Sequence, residues 1–86
     1  MDPYTIIKYP LSTEKSVRLM ERENKLIFVV NKKSTKKEIK KAVEDMFKVE
    51  VDYVNTLINA DGEKRAYVKL SAKNPAIDIA TQMGLM

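Results

Sequence analysis

Along this chain the spacing of apolar positions changes period several times, and each change marks an element. The run Lys25-Leu26-Ile27-Phe28-Val29-Val30 is apolar almost throughout, β-branched and aromatic. It predicts a strand buried on both faces and therefore central in a sheet. After it, Ile39, Ala42, Val43, Met46 and Phe47 recur at i, i+3, i+4, i+7 and i+8, one apolar stripe of a helix. Thr35, with Glu38 three residues on, supplies a capping box that starts this helix.

Residues 49–59 begin by alternating. Val49, Val51 and Tyr53 fall on one face and Glu50 and Asp52 on the other. The phase then blurs through Val54-Asn55-Thr56-Leu57-Ile58, as expected of a strand gaining cover on both sides. Asp61-Gly62 signals a short hairpin. The returning strand places Ala66, Val68 and Leu70 inward against Arg65, Tyr67 and Lys69 outward.

The ends are simpler. Ile6 and Ile7 suggest a short edge strand stopped by Tyr9-Pro10, because proline disfavours a helical residue before it. Ser12 or Thr13 caps a helix over about 13–22, with Glu14 in its first turn and Val17, Met20 and Leu19 as its apolar positions. Asn74 is expected to cap a last helix with Pro75 at its first position, docked through Ile77, Ala80 and Met83 and ended by Gly84. The order strand-helix-strand-helix-strand-strand-helix predicts one α+β domain over residues 1–86, a mostly antiparallel four-stranded sheet packed with helices.

Composition removes whole classes of chemistry. The chain has no cysteine and no histidine, hence no disulfide, no thiolate and no imidazole for metal binding or proton transfer. Two glycines cannot write a P-loop or a dinucleotide fingerprint. No apolar run is long enough to span a membrane, and the acidic start Met1-Asp2-Pro3-Tyr4 does not read as a signal peptide. A hydrolase or transferase would need converging carboxylates, which no spacing here provides. The expectation is a non-catalytic protein without cofactor or metal.

Charge is the feature that apolar periodicity leaves unexplained. Six of the sixteen basic residues lie within positions 31–41, where Glu38 is the only acid, so the segment carries +5 against a net +4 for the whole chain. The rest of the chain is therefore close to neutral. Lys36/Lys40 and Lys37/Lys41 are like-charge pairs at i, i+4, each costing a few tenths of a kcal/mol. They also crowd the positive end of the helix dipole, where cations are disfavoured. A solvated lysine face is the plain alternative, but this unfavourable placement points to a polyphosphate partner.

On the last strand, Arg65, Tyr67 and Lys69 place two cations around an aromatic, a set able to grip phosphates and stack a base or ribose. By themselves they read more readily as an ordinary cross-strand aromatic with solubilising neighbours. This one strand is too poor in aromatics for a surface that reads single strands. Ser12-Thr13-Glu14 is fully explained as a helix start.

Three segments together resemble one family. They are Tyr9-Pro10-Leu11-Ser12-Thr13-Glu14-Lys15; the run from Asn31-Lys32 through Thr35-Lys36-Lys37-Glu38-Ile39-Lys40, Val43-Glu44, Phe47, Val49 and Val51 to Val54-Asn55-Thr56-Leu57; and Lys64-Arg65-Ala66-Tyr67-Val68-Lys69-Leu70-Ser71 with Ile79 beyond. The chain is similar to the universal large-subunit ribosomal protein L twenty-three family, over nearly its whole length. The resemblance implies a cytoplasmic ribosomal protein bound to large-subunit rRNA at the exit-tunnel mouth, beside other ribosomal proteins. It also implies docking of the signal recognition particle and the translocation channel, with no small-molecule substrate and no insertion into the membrane. RNA contacts would map to Lys8, Lys15, Asn31, Lys32, Lys33, Lys36, Lys37, Lys40, Asn55, Thr56, Arg65, Tyr67 and Lys69. Partner docking would map to Ser12, Thr13 and Glu14. The long basic tunnel loop of the bacterial form is replaced here by residues 59–63 alone, and the basic N-terminal extension of the eukaryotic form is missing. The chain therefore most resembles the archaeal form, for which trigger factor is not the expected partner. The rival reading is a small protein-interaction adaptor that uses Ser12-Thr13-Glu14 and the apolar tail 77–86 and binds no RNA.

Overall fold

The structure, a computed structural model, describes residues 3–83. Its elements are α1 (Pro3–Ile6), β1 (Ile7–Pro10), α2 (Glu14–Glu23), β2 (Lys25–Val30), α3 (Lys36–Phe47), β3 (Val51–Ile58), β4 (Lys64–Leu70) and α4 (Ala76–Gln82). The four strands form one antiparallel sheet in the order β1-β2-β4-β3. This is the expected α+β architecture, with the one-turn α1 added in front and taking Ile6 out of the edge strand.

The centre is where the apolar runs put it. Leu26, Phe28 and Val30 of β2 point to the core face with Ala66, Val68 and Leu70 of β4, and Ile39, Ala42 and Val43 of α3 close over them. Phe28, Ile39, Val43, Val68 and Leu70 have no measurable exposure. Phe47 packs against this cluster and stacks on Phe28 at 5.9 Å between ring centroids. The α3 stripe holds as read, with Thr35 and Glu38 reciprocally bonded at its start.

Two stretches differ from the sequence reading. On β3 the buried residues are Val51 and Val54, while Tyr53 is turned outward. The register slips between Val51 and Tyr53, and one irregular residue inverts the alternation beyond it. β3 is an edge strand, so Leu57 and Ile58 are exposed rather than covered on both sides. In α2, Met20 and Val17 reach the core but Leu19 does not join it.

At α4 the expected cap is displaced. Pro75 is itself the N-cap and offers no side-chain bond. Asn74 instead accepts the backbone N–H of Glu50 at 2.8 Å. The cap comes from Asn24, 52 residues away, whose Oδ1 accepts the N–H of Ala76 at 2.6 Å. The buried residues of α4 are accordingly Ala76, Ile79 and Ala80, and Ile77 faces out. Met83 does pack on the core, and the expected stop at Gly84 lies outside the described residues.

Asn24 also ends α2 in the left-handed region, at φ 56°. There its Nδ2 faces the carbonyls of Ser71 at 3.2 Å and Asn74 at 3.1 Å, with Leu70 at 3.4 Å. One amide thus ties the α2–β2 corner to the β4–α4 corner. Asn24→Gly keeps the backbone conformation and loses the side-chain bonds, at about 1 kcal/mol each, so urea denaturation should show a loss of roughly 2–3 kcal/mol. Asn24→Ala should lose about 1 kcal/mol more, because a Cβ is strained in the left-handed region. Equal stability of the two variants would show that backbone conformation contributes nothing at this corner.

Candidate nucleic-acid interface

The lysine segment opens with a tight turn after β2. The N–H of Asn31 is held by the carbonyl of Ile6 at 2.8 Å, and its Oδ1 accepts the N–H of Lys33 at 3.0 Å. Asn31 is therefore a turn former first, because its side-chain oxygen is already occupied. Lys64, at the start of β4, donates to the carbonyl of Ser34 at 2.6 Å and approaches that of Lys32 at 3.5 Å. Opposite, Gly62 sits at φ +83°, in the left-handed region, where a Cβ would stand 2.9 Å from Lys32 Nζ. The hairpin tip is thereby seated against Lys32.

Beyond the turn, Lys32, Lys33, Lys36, Lys37 and Lys41 are exposed and Lys40 is half-buried. Glu38 is engaged by the cap, its Oε1 accepting from the N–H of Thr35 at 3.0 Å. Among the described residues the ion pairs are Arg18–Glu14, Lys25–Glu23 and Arg65–Glu63, so none of the lysines of this cluster has an acidic partner. The +5 read from the sequence is unneutralised and solvent-facing. Lys8 on β1 lies with Lys32 and Lys64 around a cavity of about 300 Å³ whose lining also includes Asp61 and Glu63, so the charge there is mixed.

The second face of the sheet carries the other candidates. The strand register aligns Tyr53, Lys69 and Lys25 in one row, Asn55, Tyr67 and Ile27 in the next, and Leu57, Arg65, Val29 and Tyr9 in a third. Exposure falls across the face, from exposed β3 residues through half-buried β4 residues to buried Ile27 and Val29. Lys15 of α2 holds its ammonium 5.8 Å from the Tyr67 ring centroid, and Lys25 holds its own 5.8 Å from that of Tyr53. Lys69 donates to the backbone carbonyl of Glu23. Thr56 departs from the expected set: paired with Ala66, it faces the core side, opposite to Asn55.

Arg65 is not a free cation. Its Nε binds Glu63 Oε1 at 3.1 Å, and this bond raises the Arg65 pKa. The other Glu63 oxygen accepts the hydroxyl of Tyr9 at 3.1 Å, which favours the protonated phenol and raises its pKa above the usual 10.0. Lys25 is likewise raised by its bond to Glu23.

The structure thus divides the residues read from the sequence into two groups. Lys8, Lys32, Lys33, Lys36, Lys37 and Lys40 gather near the end of β2. Lys15, Asn55, Tyr67 and Lys69 gather toward its beginning, in the rows of Lys25 and Ile27, with Arg65 between the groups in the row of Val29. Tyr53, Lys25 and Lys64 belong to these groups and are not singled out by the sequence. Tyr53 is hidden by the register slip, and the other two become visible only through cross-strand pairing.

Ser12, Thr13 and Glu14 lie where α2 begins. The Thr13 hydroxyl accepts the N–H of Ser16 at 3.2 Å, and its N–H donates to Ser16 Oγ at 2.7 Å, so its polar groups serve the cap. Glu14 is highly exposed and pairs with Arg18 at 3.0 Å, a surface interaction of small energy. Ser12 is exposed as well.

Fold and surface together define a small basic α+β protein, in which the described residues hold no cluster able to bind a metal ion. The model of the family described as ribosomal protein L23 matches residues 5–79. The chain is 45% identical over 85 residues to the large ribosomal subunit protein uL23 of Methanococcus aeolicus, covering 99% of both chains. It is 47% identical over 85 residues to the protein of the same name from Methanothermobacter thermautotrophicus, again covering 99% of each. This chain belongs to the ribosomal protein L23 family, in its archaeal form. It is a ribosomal protein of the large subunit, from a structural family rather than an enzymatic one.

Replacing Glu63 by Gln should lower the Tyr9 titration midpoint toward 10, since the charged acceptor that favours the phenol is gone. Ultraviolet difference titration against Tyr9→Phe isolates this group, and an unmoved midpoint would exclude Glu63 as the cause.

Proposed function

We propose that this protein binds large-subunit rRNA near the peptide exit tunnel, as a cytoplasmic ribosomal component, and offers a docking point for nascent-chain factors. One observation carries the RNA reading: the six lysines of positions 31–41 are unpaired among the described residues and crowd the positive end of α3. Such a surface gains most from a phosphate backbone, whose bound counterions are released on association. Neighbouring ribosomal proteins are its other partners, and no small-molecule substrate or membrane insertion enters the reading. No described helix is long and apolar enough to cross a membrane.

Replacing Lys36, Lys37 and Lys40 by Gln should reduce the slope of log K against log salt by roughly two to three, at about 0.7–0.9 for each phosphate no longer neutralised. Filter binding of large-subunit rRNA at several salt concentrations measures this. An unchanged slope would take the cluster out of the interface.

Docking of the signal recognition particle and the translocation channel belongs to Ser12, Thr13 and Glu14. Thr13 is committed to the cap, which leaves Ser12 and the exposed Glu14 carboxylate to meet a partner. Glu14→Lys should weaken particle binding to reconstituted large subunits and leave rRNA affinity within about fivefold, a surface charge change being worth under about 1 kcal/mol. Retained particle binding in a co-sedimentation assay would dismiss this docking point.

A further inference from the structure

Two tyrosine–lysine pairs stand side by side on the second face. Tyr53 is opposite Lys69 and Tyr67 opposite Asn55, so the two rings are diagonal neighbours on adjacent strands. Diagonal positions lie about 7–8 Å apart, within the span of two splayed nucleotides. Tyr53 is 44% exposed, and Tyr67 is half-buried. Each ring has a lysine ammonium 5.8 Å from its centroid, Lys25 for Tyr53 and Lys15 for Tyr67. The side chain of Asn55, exposed between them, makes no hydrogen bond to described residues.

This arrangement has more than a folded duplex can use. A duplex is gripped through its phosphates and 2′-hydroxyls, whereas an aromatic ring open to solvent beside an ammonium group suits bases that have left the stack. We infer that the Tyr53–Tyr67 diagonal is a seat for an unpaired stretch of RNA. Its bases stack on the two rings, its phosphates meet the exposed Lys15, and the Asn55 amide meets a base edge. The seat rests on the RNA-binding reading above, but uses different residues from the lysine cluster.

The probes are the large-subunit RNA of Methanothermobacter thermautotrophicus, made by transcription, and a fully paired RNA duplex. Ultraviolet irradiation of the unaltered protein on the large-subunit RNA should leave nucleotide adducts on peptides holding Tyr53 or Tyr67, read by mass spectrometry. Tyr67→Ala and Tyr53→Ala should each weaken binding of that RNA by on the order of 10-fold or more, and leave both the duplex affinity and the salt slope unchanged. Tyr67→Phe and Tyr53→Phe should retain the affinity, since stacking needs the ring and not the hydroxyl. Adducts confined to other residues, or equal weakening of both RNAs, would overturn the seat. If neither RNA shows salt-dependent binding, the broader RNA-binding reading fails instead.

Discussion

Both basic surfaces depend on β4 being paired along both of its edges. β2 lies on one side and β3 on the other, so the C-terminal hairpin joins the sheet begun by the N-terminal half through its returning strand and leaves β3 at the edge. That pairing sets the start of β4 against the turn after β2, where Lys64 holds the carbonyls of Lys32 and Ser34. It also sets Tyr67 between Ile27 and Asn55. At the opposite end the amide of Asn24 fastens α2 to the β4–α4 corner. With the strands fixed at both ends, the side chains of the second face have little freedom to change register.

The chain holds its charge in two different states. Around positions 31–41 the lysines have no acidic partner among the described residues, at the helix end where cations are least favourable. On the second face each cation is engaged: Lys25 by Glu23, Arg65 by Glu63, Lys69 by a carbonyl and Lys15 by an aromatic face. Loose, solvated lysines adapt to a phosphate backbone of any local shape. Engaged side chains are oriented before a ligand arrives and lose less entropy on binding. The two surfaces therefore differ in how far their cations are ordered within the protein itself.

Much of this is legible along the chain. The α3 stripe, its capping box and the doubly buried β2 are local patterns, carried by Ile39, Thr35, Glu38 and residues 25–30 without reference to anything distant. The departures share one cause, which is a partner far away in sequence. Local spacing makes Asn74 the cap of α4, but the bond comes from Asn24, at a separation of 52 residues. Alternation counted locally puts Tyr53 inward, whereas its face is decided by how β3 slips against β4. Asn55 and Thr56 read as a pair, although adjacent strand residues must point to opposite faces.

By itself the sequence determined the class of fold, the position of the unneutralised lysine cluster and the absence of histidine or cysteine chemistry. Family membership, legible in three motifs, belongs with these, because all of them depend on residue identity and short spacing. Only the tertiary structure decided which tyrosines share a face. One strand carries too few aromatics to suggest a stacking surface, but the sheet brings Tyr53 and Tyr67 to neighbouring positions from separate strands. The physical reason is that a helix face is written by neighbours four residues apart, whereas a sheet face is written by pairing between strands.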